Sequence, residues 1–308
     1  MRYASYFITV VLLGIFISLF FYLFSLNRSS LYSSPIPVFL ELKNNKQATF
    51  LDLWSPVFET FASTNKVPEI HARSALMYDL VNEKVIYEKN SKTQVPMASL
   101  TKIMTAIIAL EDKNMPDIYK VNKADLVGED SMGLEIGEIL HKEELLYGLM
   151  LNSGNDAAEV LARNYIFGRD GFLKAMHDKA KVLGLNNTSF SNPSGLQGDG
   201  SQYTTAEDLL KLTRYAIDYF PLFRKIVSTY EYIIPANEYH KEFYLVNETN
   251  LLSTYEGVKG VKTGYTPEAG MCLVTYYEKD GFRLIGILLN SPDRRGEMRN
   301  LLDFALNN

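Results

Sequence analysis

Apolar positions along the chain fall into distinct stretches. From Phe7 to Phe24 the run carries no charge, and only Thr9, Gly14 and Ser18 interrupt it weakly. As a helix this run is about 27 Å long, close to the hydrocarbon thickness of a bilayer. A Ser- and Pro-rich segment, Asn27 to Pro37, then opens a tether. Near its end Phe50, Leu53, Trp54, Val57, Phe58 and Phe61 recur at helical spacing, with Ser55-Pro56 placed to cap and start a helix. Such an apolar face either docks on the domain that follows or lies on a membrane surface.

From Val67 the pattern becomes that of a folded domain. Ala75 to Asp79 and Lys84 to Tyr87 read as strands joined by a turn at Asn82-Glu83. Helical patterns follow: Leu100 to Leu110, apolar nearly all round and so buried, then Glu143 to Leu151, Ala157 to Ile166, and Gly171 to Leu183 ended by Gly184. Strands return only near the end, at Gly257 to Thr266, Met271 to Tyr277 and Phe282 to Leu289, with Asp280-Gly281 as a tight turn. Ser291-Pro292 opens a closing helix whose inner face is Met298, Leu301, Leu302 and Ala305. The predicted fold is α+β: one antiparallel sheet built from both ends of the domain, with a helical insertion between them. The predicted organisation is an anchor (1–26), a tether (27–66) and a catalytic domain (67–308).

Composition narrows the function. A formal net charge of -5 with no basic stripe argues against nucleic acid as a partner. Cys272 is the single cysteine, which excludes a disulfide framework and a thiolate metal cluster, and its place in a strand reads as structural. His71, His141, His177 and His240 are isolated, so no ligand pair arises and neither a metal nor another cofactor is expected. For the apolar run at 7–24, an uncleaved anchor is favoured over a cleaved signal peptide because the run is long and no Ala-x-Ala site follows it. Arg2 on one side and Arg28, Lys43 and Lys46 on the other leave its orientation open.

Three strings carry the candidate chemistry: Ser99-Leu-Thr-Lys102, Ser153-Gly-Asn155 and Lys262-Thr-Gly264. Ser99 begins the buried helix, where unpaired N–H groups and the positive dipole end would stabilise an oxyanion. Lys102 lies one turn on, on the same face, and burial beside a second lysine would lower its pKa toward that of a useful base. Ser153 and Asn155 stand in a break between two apolar helices, projecting at a cleft wall. Lys262 and Thr263, on a strand, can grip a carboxylate, while Gly264 permits close backbone approach. Each string alone is weak: Ser63 with Lys66 and Ser25 with Asn27 repeat the first two patterns by chance. The ordered set describes serine acyl transfer without histidine.

The strings and their flanks resemble the penicillin-binding D-alanyl-D-alanine carboxypeptidases of low molecular mass. The resemblance extends to Pro96 to Lys102, Leu145 to Ala157, Ser191 to Leu196 and Gly260 to Gly270, and covers Val67 to the C-terminus. It implies a β-lactamase/transpeptidase-like fold and peptidoglycan stem peptides as substrate, with β-lactams as inhibitors. By position it implies that Ser99 attacks the penultimate D-alanine carbonyl with Lys102 as base. The N–H groups of Ser99 and Tyr265 would form the oxyanion hole. Ser153 would relay a proton to the leaving amine, Asn155 would orient a substrate amide, and Lys262 with Thr263 would hold the terminal carboxylate. A substrate found only across the membrane implies an anchored domain on the extracytoplasmic side.

Two departures stand out. Ser194 occupies a place where the family segment has histidine, and the chain ends at Asn308 without the C-terminal β-rich domain and amphipathic anchor of many relatives. A class A β-lactamase is disfavoured, since no Glu-x-x-Leu-Asn string lies between Ser153 and Lys262. A D,D-endopeptidase stays open, as does a β-lactam-sensing module without turnover, although a pure binder has no need of Lys102.

Overall fold

The computed structural model describes residues 66–307 other than 114 and 198–200, together with Pro56. The apolar run at 7–24 and the tether with its helix-spaced positions from 50 to 61 (Pro56 and Lys66 apart) lie outside the described residues. Among those described, no helix is long and apolar enough to cross a membrane.

The domain opens with β1 (Ser74–Asp79) and β2 (Lys84–Lys89). Asp79 fixes the turn between them, accepting from the backbone N–H groups of Val81 and Asn82 at 2.8 and 3.1 Å. A 3-10 turn, Ala98–Thr101, runs directly into α1 (Lys102–Glu111). A small ribbon of β3 (Ile118–Lys120) and β4 (Ile139–His141) leads to α2 (Lys142–Leu151), α3 (Asn155–Arg163) and α4 (Gly168–Val182). Then come α5 (Ala206–Tyr219), α6 (Pro221–Val227), a second ribbon of β5 (Glu231–Ile234) and β6 (Phe243–Val246), and the single turn α7 (Leu251–Thr254). The chain closes with β7 (Val258–Thr266), β8 (Gly270–Lys279), β9 (Phe282–Ser291) and α8 (Arg294–Leu306).

Five strands form one antiparallel sheet in the order β2-β1-β9-β8-β7. Strands from both ends of the domain therefore meet, as the apolar pattern predicts. Asp280 and Gly281 both take positive φ, 51° and 86°, the backbone that a two-residue hairpin turn requires. The two ribbons and helices α5, α6 and α7 go beyond the elements that the sequence pattern predicts. Three-residue strands such as β3 and β4 are too short to show an alternation. Helix α5 did carry a signal, because the Thr205 hydroxyl accepts from Asp208 N at 3.1 Å as an N-cap.

Alternation along the central strands builds two cores. Leu76, Tyr78, Val274, Tyr276, Ile285 and Ile287 face the helical insertion, while Ala75, Met77, Leu273, Leu284 and Leu288 face α8. On the α8 side Met298, Leu301, Leu302 and Ala305 complete the second core, the inner face predicted for the closing helix. One buried carboxylate interrupts it. Glu297 accepts from the backbone N–H groups of His71 and Ala72 and from the Ser291 hydroxyl at 2.5 Å, tying α8 to the segment before β1. With β2 and β7 at its edges, the sheet presents the outer side of β7 to the helical insertion, and the candidate site lies along that seam.

Candidate active site

The three sequence strings converge there. Ser99 lies in the 3-10 turn, packed against β7 so closely that a β-carbon on Gly264 would sit 3.1 Å from Ser99 N and 3.2 Å from Met97 O. Gly195 crowds the same turn from the other side: at φ 90°, a β-carbon there would meet Ala98 O at 2.0 Å. Two glycines thus let two backbones close on the serine, and Ala98 itself is held at a positive φ of 48°.

Lys102, fully buried in the first turn of α1, reaches back to Ser99 Oγ at 3.0 Å. Its Nζ also donates to Asn155 Oδ1 and to the Ser194 carbonyl, each at 2.7 Å. Burial, and secondarily the Lys262 charge, hold its pKa well below the usual lysine range, opposed by Asp130, Glu248 and Asp156. The neutral amine has two N–H bonds and one lone pair. Asn155 Oδ1 and Ser194 O can only accept, so when the amine is neutral they take its two N–H bonds and leave the lone pair for the Ser99 hydroxyl, whereas the charged form donates to all three.

Asn155 starts α3 and is oriented by its own Nδ2, which donates to Gly128 O at 3.3 Å. The next residue, Asp156, accepts from the N–H groups of Met132, Gly133 and Leu134 and from Ser131 Oγ, fastening the 128–134 loop beside the site. Ser153 sits in the left-handed region at φ 57°, and its buried hydroxyl makes no hydrogen bond among the described residues. That combination of strain and an unsatisfied donor marks a group held for something else.

Lys262 and Thr263 lie in the middle of β7, both buried, while Tyr265 is exposed at the end of the string. Burial and Arg294 lower the Lys262 pKa, against the pull of Glu248 and Asp130. Its Nζ makes no hydrogen bond among the described residues; Glu248 Oε2 stands 3.6 Å away.

Three participants lie outside the strings. Glu248 accepts from Thr263 Oγ1 at 3.0 Å. Arg294, at the start of α8, donates from Nη1 to the carbonyls of Gly264 at 2.9 Å and Cys272 at 3.4 Å, buttressing β7 from behind. Ser194 enters through its carbonyl, so the serine-for-histidine departure changes a side chain that turns away: its hydroxyl bonds Asn192 Oδ1 at 3.2 Å and Leu196 N at 3.3 Å. A basic residue after Ser291-Pro292 and an acidic one before Thr249 carry no local pattern that would have singled them out. Cys272 is buried on β8, and burial pushes its thiol up to about 11. His177 Nε2 accepts from Phe190 N at 3.3 Å, away from the strings.

A buried serine–lysine pair, an unsatisfied hydroxyl and a cationic edge strand are together a set that can perform active-serine acyl transfer. Residues 61–293 match the model of the D-alanyl-D-alanine carboxypeptidase family of peptidases, and the chain belongs to that family. The carboxypeptidase DacF of Bacillus subtilis is 37% identical over 243 residues, which cover 76% of this chain and 62% of that protein. The chain thus spans less than two thirds of that relative's length. The D-alanyl-D-alanine endopeptidase of Escherichia coli is also 37% identical, over 227 residues covering 69% of each. Among solved structures, the DD-transpeptidase of a Streptomyces strain superposes with a TM-score of 0.74 at 31% identity, covering 79% of this chain and 100% of that one.

Proposed function

We propose that this chain is a serine D-Ala-D-Ala carboxypeptidase that trims the terminal D-alanine from peptidoglycan stem peptides through an acyl-enzyme on Ser99. The observation that carries the reading is the Lys102–Ser99 contact inside a fully buried, doubly anchored amine. Lys102 Nζ takes the Ser99 proton as Oγ forms a bond to the penultimate D-alanine carbonyl carbon. Negative charge on that carbonyl oxygen is met by the N–H groups of Ser99 and Tyr265. As the C–N bond breaks, the Ser153 hydroxyl passes a proton to the leaving amine. Water then hydrolyses the ester, with Lys102 again as base. Asn155 orients the substrate amide, and Lys262 with Thr263 receives the terminal carboxylate. A β-lactam, whose strained amide offers the same carbonyl, acylates the same serine.

The apolar run at 7–24 belongs to this proposal as an uncleaved anchor that keeps residues 67–308 on the extracytoplasmic side, where stem peptides are found. A second reading, cleavage of cross-links, is favoured by the equal identity to the Escherichia coli endopeptidase.

The direct test follows D-alanine release from an acyl-D-Ala-D-Ala peptide together with labelling by a fluorescent penicillin. Wild type should do both and Ser99→Ala neither. Labelling that survives in Ser99→Ala would sink the assignment, and turnover of cross-linked dimers alone would move it to the second reading. N-terminal sequencing of membrane-extracted protein should begin at residue 1 or 2; a start near residue 30 would mean a cleaved leader.

A further inference from the structure

The segment from Ser191 to Leu196 meets the Ser99 turn and α1 at three successive residues. Thr105, one turn past Lys102, donates from Oγ1 to the Pro193 carbonyl at 2.5 Å. Lys102 Nζ donates to the Ser194 carbonyl at 2.7 Å. Gly195 crowds Ala98, where a β-carbon would sit 2.0 Å from the carbonyl oxygen. Thr105, Lys102 and Ala98 follow one another along one face at spacings of three and four residues, and Pro193, Ser194 and Gly195 answer them in order.

One side chain gives this segment its shape. Asn192 is 1% exposed, and its Oδ1 accepts from Ser194 N at 3.2 Å and from Gly195 N at 2.7 Å. Its Nδ2 donates to Leu196 O at 2.7 Å, which Gln202 Nε2 also reaches at 2.8 Å. The two N–H groups that Oδ1 holds belong to the same peptide units as the two carbonyls aimed at α1. A trans peptide is planar, with its N–H and C=O pointing in opposite directions, so a grip on the N–H end fixes where the carbonyl end points. Pro193, whose ring sets its φ, removes one more rotation.

We infer that Asn192 is a positioning residue for the base: by holding the N–H ends of the Pro193–Ser194 and Ser194–Gly195 peptides it aims their carbonyls at Thr105 and Lys102. This rests on the reading of Lys102 as the base that deprotonates Ser99. Asn192 makes no hydrogen bond to Ser99 or to β7 among the described residues and acts through the Ser194 carbonyl. With that carbonyl in place, Asn155 and Ser194 take both N–H bonds of neutral Lys102, and its lone pair is left for Ser99. With the peptide free to turn, Lys102 keeps one fixed acceptor, and an N–H instead of the lone pair faces Ser99 for part of the time. Chemistry then slows, while Lys262 and Thr263, the groups that hold substrate, are untouched.

The test measures D-alanine release from an acyl-D-Ala-D-Ala peptide, and labelling of Ser99 at saturating fluorescent penicillin, in wild type, Asn192→Ala and Thr105→Val, each below its Tm. A misdirected base slows the reaction by roughly 10- to 100-fold. Asn192→Ala should lose that factor in kcat and in the labelling rate constant, with KM within about threefold of wild type. Thr105→Val, which releases the Pro193 carbonyl and leaves Asn192 in place, should lose about fivefold in kcat, again with KM held. An asparagine that serves the fold alone would lower Tm and leave kcat of the folded protein unchanged. A kcat within about twofold of wild type in folded Asn192→Ala, or a loss carried by KM, therefore overturns the inference. Should Asn192→Ala not fold, Thr105→Val decides on the same terms. If wild type is labelled by penicillin but releases no D-alanine, the carboxypeptidase reading fails and the labelling constants alone decide the inference. A wild type that does neither overturns both.

Discussion

The α8 side of the sheet and the seam along β7 both bury charged groups, and they do so in opposite ways. Against α8 the buried carboxylate of Glu297 has its oxygens engaged by two backbone N–H groups and a hydroxyl. Along the seam, Lys102 and Lys262 are buried with lowered pKa values, Lys262 lacks a hydrogen bond among the described residues, and Ser153 Oγ has none. A buried polar group with all its partners is a clamp. One whose partners are withheld is a cost to folding, retained because a substrate supplies what is missing. The same element type, a polar residue in an apolar strand or helix, thus serves stability on one side and chemistry on the other.

Exchanging the two behaviours would break this contrast, most strongly at Lys102. Lys102→Met should reduce D-alanine release by about 10²–10⁴-fold through loss of the base. It also leaves Asn155 Oδ1 and the Ser194 carbonyl unpaired, at a cost of roughly 1–3 kcal/mol for each acceptor kept from water; D-alanine release that survives in folded Lys102→Met would remove the lysine as base. Glu297→Ala should do the reverse, since each buried donor left unsatisfied costs roughly 1–3 kcal/mol. A loss of about 3 kcal/mol, seen as a Tm lower by roughly 6–12 °C, is expected with penicillin labelling intact below that temperature.

Next in size is Lys262→Ala. Charge-assisted bonds of about 1.5–3 kcal/mol, if tightened in the transition state, correspond to a rate loss of roughly 10- to 150-fold. Its pH profile sharpens the point. Lys102 works when neutral, so kcat/KM should climb as pH rises through its lowered pKa. Removing the Lys262 charge takes away one cause of that lowering, and the ascending limb should move to higher pH. A limb that stays in place would separate the two lysines electrostatically. The smallest effect belongs to Gly281→Ala, with open space around the new methyl but a φ of 86°: about 1 kcal/mol of stability and no change in activity.

Local pattern accounts for what the sequence revealed. The long strands, the Asp280-Gly281 turn and the inner face of α8 follow from periodicity and turn chemistry acting over a few residues. Ser99 and Lys102 were legible because their partnership spans a single helical turn. Glu248, Arg294 and the Ser194 carbonyl were not, because each meets its partner through the packing of separate elements. Lys102 and Ser194 are brought together by a 2.7 Å contact across more than ninety positions, and at Ser194 the contributing atom is backbone, which no side-chain identity advertises. The ribbons β3–β4 and β5–β6 escaped for the opposite reason: they are too short to show a period.

The pairing of β1 with β9 has a consequence for the order in which the chain can fold. Ser74 is partnered by Leu289 and Asp79 by Leu284, more than two hundred residues downstream. During synthesis the β1–β2 hairpin emerges early, with β1 buried on both faces in the finished domain, yet its neighbour appears almost last. Closing so large a loop is entropically slow and yields little until β9 arrives. The helical insertion must therefore wait beside an incomplete sheet, and the seam at β7 is assembled in the final act. A chain cut near residue 281 would keep Ser99, Lys102, Ser153 and Lys262 in sequence and still lack the strand that joins its beginning to its end.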